Sequence, residues 1–146
     1  MEAMNDYRHL VGHRFPGGTY TLPEYVSWLW ADAALAEPDP EIAHPSLGYF
    51  VAMQGIGVSI DDIFALMGAT ADSGVVFGET ELEFERPVAP GVPYDVEAEI
   101  AGIERKSGKR AGVFDKLTFV VRVREQASGE PVVTNTNTWI FPRKEA

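Results

Sequence analysis

The sequence contains no cysteine, few basic residues and no long apolar run. The absence of cysteine excludes disulfides, thiolate metal sites and a cysteine nucleophile. With 12 Lys and Arg against 22 Asp and Glu, the formal net charge is -10, which would repel nucleic acid and anionic membrane surfaces. The most apolar segment, residues 47–60, is interrupted by glycines and by Gln54 and is shorter than the roughly 18 residues of a membrane span. We therefore expect neither a nucleic-acid nor a membrane partner.

Composition and length indicate a globular chain. Hydrophobic residues make up 45% and charged residues 23% of the 146 positions, which are ordinary globular values. The length favours a single domain over residues 1–146. Residues 1–14 lack a basic start followed by an apolar run, so we expect no signal peptide and a cytoplasmic protein.

The first half of the chain has helical patterns. Thr21 and Glu24 are spaced as a capping box, and apolar residues then recur at three- and four-residue intervals as far as Ala36, before Pro38. This spacing predicts a helix of about four turns that begins after Thr21.

A second helical region is apolar on nearly every side, which is typical of a buried helix. It begins near Ser46 and reaches Gln54, and Gly55 then interrupts the pattern. Ser59 and the acidic residues after it indicate a new start. The pattern is compatible with one long helix weakened by glycine or with two short helices.

From Val75 the apolar period becomes two, which is typical of strands with one solvated face. Four strands are predicted, separated by turns, around residues 75–85, 94–100, 113–123 and 132–141. We expect an antiparallel meander, completed to about five strands by a short strand before Thr21 and wrapped around the buried helix in an α+β architecture. An exposed sheet edge favours dimerisation that continues the sheet across two subunits.

Three segments carry a resemblance to a known family. They are Leu10-Val11-Gly12-His13-Arg14-Phe15, Ala43-His44-Pro45-Ser46-Leu47 and Phe84-Glu85-Arg86-Pro87-Val88-Ala89-Pro90-Gly91. Together with the element order they resemble the hot-dog fold and, within it, the MaoC-like hydratases and dehydratases of the dehydratase-like N-terminal type. The resemblance covers about residues 10–143.

The resemblance implies a function. Such proteins add water to the double bond of a 2-enoyl thioester, or remove water from a 3-hydroxyacyl thioester to form that double bond. Coenzyme A or acyl carrier protein is then part of the substrate, and no further cofactor is implied. The protein is expected to form a homodimer, or a heteromer with another hot-dog subunit.

The catalytic relatives use an aspartate and, five residues later, a histidine. Asp39 and His44 have this separation, but the residues between them depart from the family pattern, and His44 directly precedes the Pro45-Ser46 helix start. Three interpretations stay open: a working pair, a histidine at the helix start beside a solvated turn aspartate, or a histidine that only contacts substrate.

The resemblance also implies that backbone amides at the start of the central helix face the thioester oxygen, as helix N-termini favour negative charge. Here these amides would belong to Ser46, Leu47 and Gly48. Alternatively, Ser46 is only a cap and Gly48 only a packing glycine.

One basic cluster lies at a predicted hairpin turn and comprises Arg105, Lys106, Lys109 and Arg110. Such side chains bind phosphate through charge-assisted hydrogen bonds, so they are candidates for the nucleotide phosphate of coenzyme A. The alternative is a turn exposed to water.

Other polar residues give weaker signals. His9 and His13 have no third ligand pattern beside them, so no metal site is predicted. Asn135 and Asn137 share one face of the last strand, where asparagine is disfavoured. They either line a polar pocket or face water.

Three functions follow as hypotheses. The first is a hydratase or dehydratase, or a partner subunit that shapes the acyl site while another hot-dog subunit supplies catalysis. The second is a hot-dog acyl-CoA thioesterase, for which Asp61 or Asp62 would be candidate residues. The third is a non-enzymatic acyl-thioester binding module.

Overall fold

A computed structural model of the protein describes residues 5–143. Two short 3-10 turns, Arg8–Leu10 and Ala71–Ser73, accompany three helices and five strands. In chain order the longer elements are β1 (Gly18–Thr21), α1 (Glu24–Ala33), α2 (Leu47–Gly55), α3 (Ile60–Leu66), β2 (Val76–Phe84), β3 (Pro93–Gly108), β4 (Gly112–Glu125) and β5 (Pro131–Arg143).

The five strands form one antiparallel sheet in the order β1-β3-β4-β5-β2. The predicted five-stranded α+β architecture and the short strand before the first helix are confirmed. The predicted four-strand meander is wrong, because β2 pairs with β5 instead of β3. The connection between β2 and β3, residues 85–92, contains Pro87 and Pro90 and is longer than the two to five residues of a common hairpin loop.

The helix boundaries correct two sequence predictions. Thr21 does not cap α1, because it is the last residue of β1 and pairs with Pro93. The helix ends at Ala33 and not at Ala36. Leu35 reverses the chain with φ 58°, and the Ala36 amide donates to the Ala31 carbonyl over 2.9 Å, an arrangement typical of a left-handed helix terminus.

The region from Ser46 onwards forms two short helices, so one of the two open alternatives holds. Ser59 and Asp62 form a capping box at the start of α3, with bonds of 2.9 and 3.0 Å. These bonds hold the pKa of Asp62 below its ordinary value. At the start of α2, in contrast, the Ser46 hydroxyl makes no capping bond.

The core lies between α2 and the sheet. Leu47, Val51 and Ile56 are fully buried, and α2 contacts β1, β3, β4 and β5. At Gly55 the helix backbone lies so close to β3 that a Cβ atom would collide with Val96. In residues 5–143 no single helix is long and apolar enough to cross a membrane, whereas α2 and α3, bent by 64°, pass that test only as a pair and only by length and composition.

Candidate functional site

A cavity of about 320 Å³ lies at the start of α2. Two chain segments line it, residues 42–45 before the helix and residues 84–88, which begin with the last residue of β2. The Ala43 amide donates to the Val88 carbonyl over 2.8 Å and joins these segments. We call this space the His44 cavity, after the histidine in its lining.

The hydrogen bonds of His44 indicate which of its two ring nitrogens carries the proton. The Ser46 amide donates to His44 Nδ1 over 3.2 Å, and the Ser46 Oγ lies 2.8 Å from the same atom. An atom that accepts from an amide carries no proton, so we assign the proton of the neutral ring to Nε2. Among residues 5–143, Nε2 makes no hydrogen bond. His44 therefore presents one N–H donor that the fold does not use.

Trp30 completes this arrangement from α1. Its indole N–H donates to the Ser46 Oγ over 2.7 Å, so the Ser46 hydroxyl proton is directed to His44 Nδ1. The Trp30 ring packs on Phe50, with ring centres 5.6 Å apart. Sequence reasoning assigned Trp30 no role in the site, because its partner is distant in sequence and no spacing pattern links them.

The structure does not bring Asp39 to His44. Asp39 Oδ1 accepts from the amides of Glu41 and Ile42 over 2.8 and 3.2 Å. Its side chain lines a different depression, which it shares with Tyr25 of α1. Among residues 5–143, no carboxylate is hydrogen-bonded to the His44 ring.

The predicted amide donors at the start of α2 already have partners. The Leu47 amide donates to the His44 carbonyl over 2.9 Å, and the Gly48 amide donates to the Pro45 carbonyl over 3.0 Å. The Phe84 ring covers Gly48 so closely that a Cβ there would lie 2.9 Å from Phe84 Cζ. A thioester oxygen at this helix end would have to compete with these turn hydrogen bonds.

Arg86 of the arginine-proline-glycine element lines the same cavity but is held by carboxylates. Its NH1 donates to Glu125 Oε2 over 3.3 Å, and its NH2 forms an ion pair with Glu130. Nearby, the buried Tyr94 hydroxyl accepts from the Ala89 amide over 2.8 Å, and burial raises the Tyr94 pKa. These bonds fix the shape of residues 85–91, so Arg86 has a structural role.

The four residues of the predicted basic cluster have different surroundings. Arg105 forms two hydrogen bonds with Asp115, of 2.8 and 2.9 Å, and Lys106 lies 3.4 Å from Glu104. Lys109 and Arg110 occupy the exposed turn between β3 and β4.

This turn lies at the opposite end of the sheet from the His44 cavity. Phe84, which lines the cavity, pairs with Val133, and Val133 pairs through β4 with the start of β3 near Val96. Lys106 lies ten positions after Val96 on β3, about 33 Å at the rise of a strand. Within one subunit, phosphate binding at the turn and a thioester in the His44 cavity would need a ligand of that reach.

The two asparagines of the last strand are buried, so of the two open alternatives the one in which they face water is excluded. Asn135 and Asn137 are 0% and 1% exposed. They form hydrogen bonds with each other and with Thr80 on β2. Asn137 and Thr80 also line a second cavity, of about 360 Å³, beside the edge strand.

The remaining candidates are placed as follows. Asp61 is exposed in the first turn of α3, and Asp62 is engaged in the capping box. His9 Nδ1 lies 3.0 Å from the Asp6 carbonyl oxygen, and His13 packs edge-on against Phe15. Within residues 5–143, no group of three or more His, Cys, Asp or Glu side chains is placed to hold a metal ion.

Comparison with known proteins reveals the fold and not a close relative. Neither a family model nor a curated protein matches the sequence. Among solved structures, the C-terminally truncated HadBC (3R-hydroxyacyl-ACP dehydratase) complex from Mycobacterium tuberculosis is similar at 16% identity and a TM-score of 0.68, over 90% of this chain and 96% of that one.

Two further structures support the same fold. The MaoC-like dehydratase from Rhodospirillum rubrum has 18% identity and a TM-score of 0.53, with 93% of this chain and 94% of that chain covered. The fluoroacetyl-CoA thioesterase FlK has 15% identity and a TM-score of 0.59, with 97% and 90% covered. The predicted fold is thereby confirmed: this chain has the hot-dog fold that MaoC-like dehydratases share.

Proposed function

We propose that this protein is an acyl-thioester-binding subunit of the hot-dog hydratase and dehydratase class. It binds a 2-enoyl or 3-hydroxyacyl thioester in the His44 cavity, and a second hot-dog subunit supplies the catalytic groups. The observation that carries the proposal is the fixed His44 ring, which offers a donor to a ligand while no carboxylate is paired with it.

The tautomer assigned to His44 supports binding over base catalysis. To activate water, a histidine needs an unprotonated nitrogen facing the reacting atoms. In His44 that nitrogen is Nδ1, which accepts hydrogen bonds from Ser46. The available Nε2–H is suited to donate to a thioester carbonyl or to a hydroxyl oxygen of the ligand.

The environment of Asp39 supports the same proposal. In a hydration site a second group delivers or removes a proton at the neighbouring carbon. Asp39 accepts two amide hydrogen bonds from its own loop and lines a separate depression. A heteromeric assembly would supply the missing group, and one of the similar structures, HadBC, is itself described as a complex.

The test uses the purified protein and crotonyl-CoA. Calorimetry is expected to show saturable binding, while the enoyl absorbance stays constant and no free thiol is released. His44→Phe removes the N–H donor but keeps a ring, and we expect about fivefold weaker binding, as for the loss of one hydrogen bond.

Asp39→Asn is the matched control, because an asparagine Oδ1 can still accept the two loop hydrogen bonds. It is expected to leave crotonyl-CoA binding unchanged. Loss of enoyl absorbance that Asp39→Asn abolishes would overturn the proposal in favour of a working Asp39 and His44 pair. Thiol release would indicate a thioesterase instead, and unchanged binding by His44→Phe would remove His44 from the site.

A further inference from the structure

A cluster of three polar side chains lies between the core and the edge strand. Thr80 Oγ1 donates to Asn137 Oδ1 over 2.8 Å, and Asn137 Nδ2 donates to Asn135 Oδ1 over 2.7 Å. Asn135 Nδ2 donates to Thr80 Oγ1 over 2.8 Å and to the Glu81 carbonyl over 3.0 Å. We call Thr80, Asn135 and Asn137 the amide cluster.

One hydrogen-bond donor of the amide cluster is unused among the described residues. A side-chain amide nitrogen carries two hydrogens. Asn135 uses both, whereas Asn137 uses one among the residues that the structure describes. Because Asn137 is 1% exposed, the second N–H can meet only the adjoining cavity or the core. A buried donor without a partner is costly and requires a physical explanation.

Two other donors border the same cavity. Within residues 5–143, neither the Trp139 indole N–H nor the Tyr49 hydroxyl forms a hydrogen bond, whereas the Trp30 indole N–H donates to Ser46 Oγ. Trp139 is 1% exposed and stacks on Phe77 with ring centres 4.3 Å apart. Burial raises the pKa of Tyr49, so its hydroxyl stays protonated at neutral pH. Asn137, Trp139 and Tyr49, each with an unused donor among the described residues, thus line one cavity that also has an aromatic wall.

The space between these groups is large enough for a small ligand. We call it the edge cavity, with a volume of about 360 Å³ and a lining that includes Tyr49, Phe77, Glu79, Thr80, Asn137 and Trp139. Ligand pockets typically begin near 300 Å³ and combine apolar walls with a few polar groups. The exposed Glu79 carboxylate and the net charge of -10 disfavour an anionic ligand.

We propose that the edge cavity is a binding site for a neutral carbonyl compound, whose oxygen accepts from Asn137, Trp139 and Tyr49. The donors match a carbonyl oxygen, which accepts and does not donate. The stacked Phe77 and Trp139 rings provide the apolar surface for the rest of the ligand.

This site is separate from the His44 cavity. Phe84 lies four positions after Thr80 on β2, about 13 Å along a strand. Between the two spaces, Phe84 and Leu82 pack against Gly48 of α2, where a Cβ would lie 2.9 and 3.5 Å from their side chains. The proposal therefore does not depend on thioester binding at His44.

The test follows the indole N–H signals of the purified protein by NMR during titration with cyclohexanone. The chain has three tryptophans, so Trp28 and Trp30 serve as internal references. We expect a saturable downfield shift of the Trp139 signal alone. Cyclohexene, which has the same carbon ring without the carbonyl, is expected to bind at least tenfold more weakly.

Tyr49→Phe removes one donor without removing an existing hydrogen bond, so the variant is expected to fold and to bind cyclohexanone about fivefold more weakly. Tyr25→Phe, which changes an exposed tyrosine outside the edge cavity, is the matched control and is expected to bind normally. Absence of a Trp139 shift, equal shifts of all three signals, or full affinity in Tyr49→Phe would overturn the proposal. If cyclohexanone does not bind while crotonyl-CoA binds normally, the proposal for the edge cavity is overturned and the proposal for the His44 cavity is not.

Discussion

The polar groups at the two ends of the sheet are engaged in different ways. At the end near the turn between β3 and β4, Asp115 is 1% exposed and accepts from Arg105 and Arg143 over 2.8 to 2.9 Å. At the other end, His44 is held through Nδ1 while its Nε2–H has no partner within residues 5–143. Polar groups that satisfy one another stabilise the fold, and those left unsatisfied are available to a ligand.

The Asp115 cluster has one incomplete member, and its surroundings compensate for it. Arg143 NH2 is buried without a hydrogen-bond partner in residues 5–143. The guanidinium carbon lies 4.6 Å from the centre of the Tyr7 ring, a distance at which a cation and an aromatic face attract each other. The cluster also reaches the N-terminal segment, since Arg105 NH2 donates to the Asn5 carbonyl over 2.7 Å. It therefore joins β3, β4, β5 and the start of the described chain.

Breaking the Asp115 cluster should have the largest effect on stability. Asp115→Asn removes the charge that balances Arg105 and Arg143, and Arg143 is 10% exposed. Loss of one partner of a buried ion pair typically costs about 3–5 kcal/mol of unfolding free energy. Urea denaturation is expected to show a loss of this size. Asp72→Asn, at an exposed position, is the control and should change stability by less than about 0.5 kcal/mol.

A substitution in α2, at the point where the helix packs on β3, should lower stability at the end of the sheet near the His44 cavity. Gly55→Ala places a Cβ against Val96, which displaces the helix from β3 and costs about 1–3 kcal/mol. Gly102→Ala is the comparison variant, because no atom lies within 4 Å of its added Cβ. Thermal denaturation of both variants measures the difference. Equal stability of the two would mean that α2 tolerates displacement at Gly55.

A smaller effect is expected from removing the Trp30 indole N–H, which orients the Ser46 hydroxyl. Trp30→Phe removes the hydrogen bond to Ser46, at a cost of about 1 kcal/mol, and frees the Ser46 hydroxyl to rotate. Nitrogen NMR of the imidazole should then show a larger fraction of His44 with its proton on Nδ1. Trp28→Phe, at a half-exposed position, should leave the imidazole signals as they are. An unchanged His44 spectrum in Trp30→Phe would show that the Ser46 amide alone sets the ring.

The smallest expected effect is a loss of folding stability at low pH. Desolvation would raise the pKa of Asp115, but the hydrogen bonds from Arg105 and Arg143 outweigh it and lower the pKa below the ordinary value. The unfolded chain therefore binds a proton first as the pH falls, so this contribution is complete above about pH 4 and is lost progressively below it. Stability measured between pH 5 and pH 3 should fall more steeply for the natural protein than for Asp115→Asn. Parallel curves would show that other carboxylates dominate.

Local patterns predicted those elements whose cause is local. The alternation from Val75 predicted the strands, since successive side chains of a strand face opposite sides. Ser59 and the acidic residues after it indicated the start of α3, because an N-cap and first-turn carboxylates act within one turn. The capping-box spacing at Thr21 was misleading, because pairing with Pro93 extends β1 to that residue.

The candidate site was only partly predictable, because its contacts join distant residues. His44 and Ser46 were identified from the helix start, but the bond from Trp30 depends on how α1 packs beside α2. Arg105 was grouped with basic neighbours, and only the pairing of β3 with β4 places Asp115 beside it. The proposed roles of His44 and Asp39 stay predictions until ligand binding is measured.

The sequence by itself determined the absence of disulfides and the strand-forming segments, and it indicated a helix start at Ser59, because composition depends on residue type and alternation and capping act over a few residues. Tertiary structure decided the pairing of β2 with β5, the hydrogen bonds that orient His44 and the burial of the amide cluster. These features depend on residues far apart in the chain, and their geometry follows from packing around α2 and not from any local pattern.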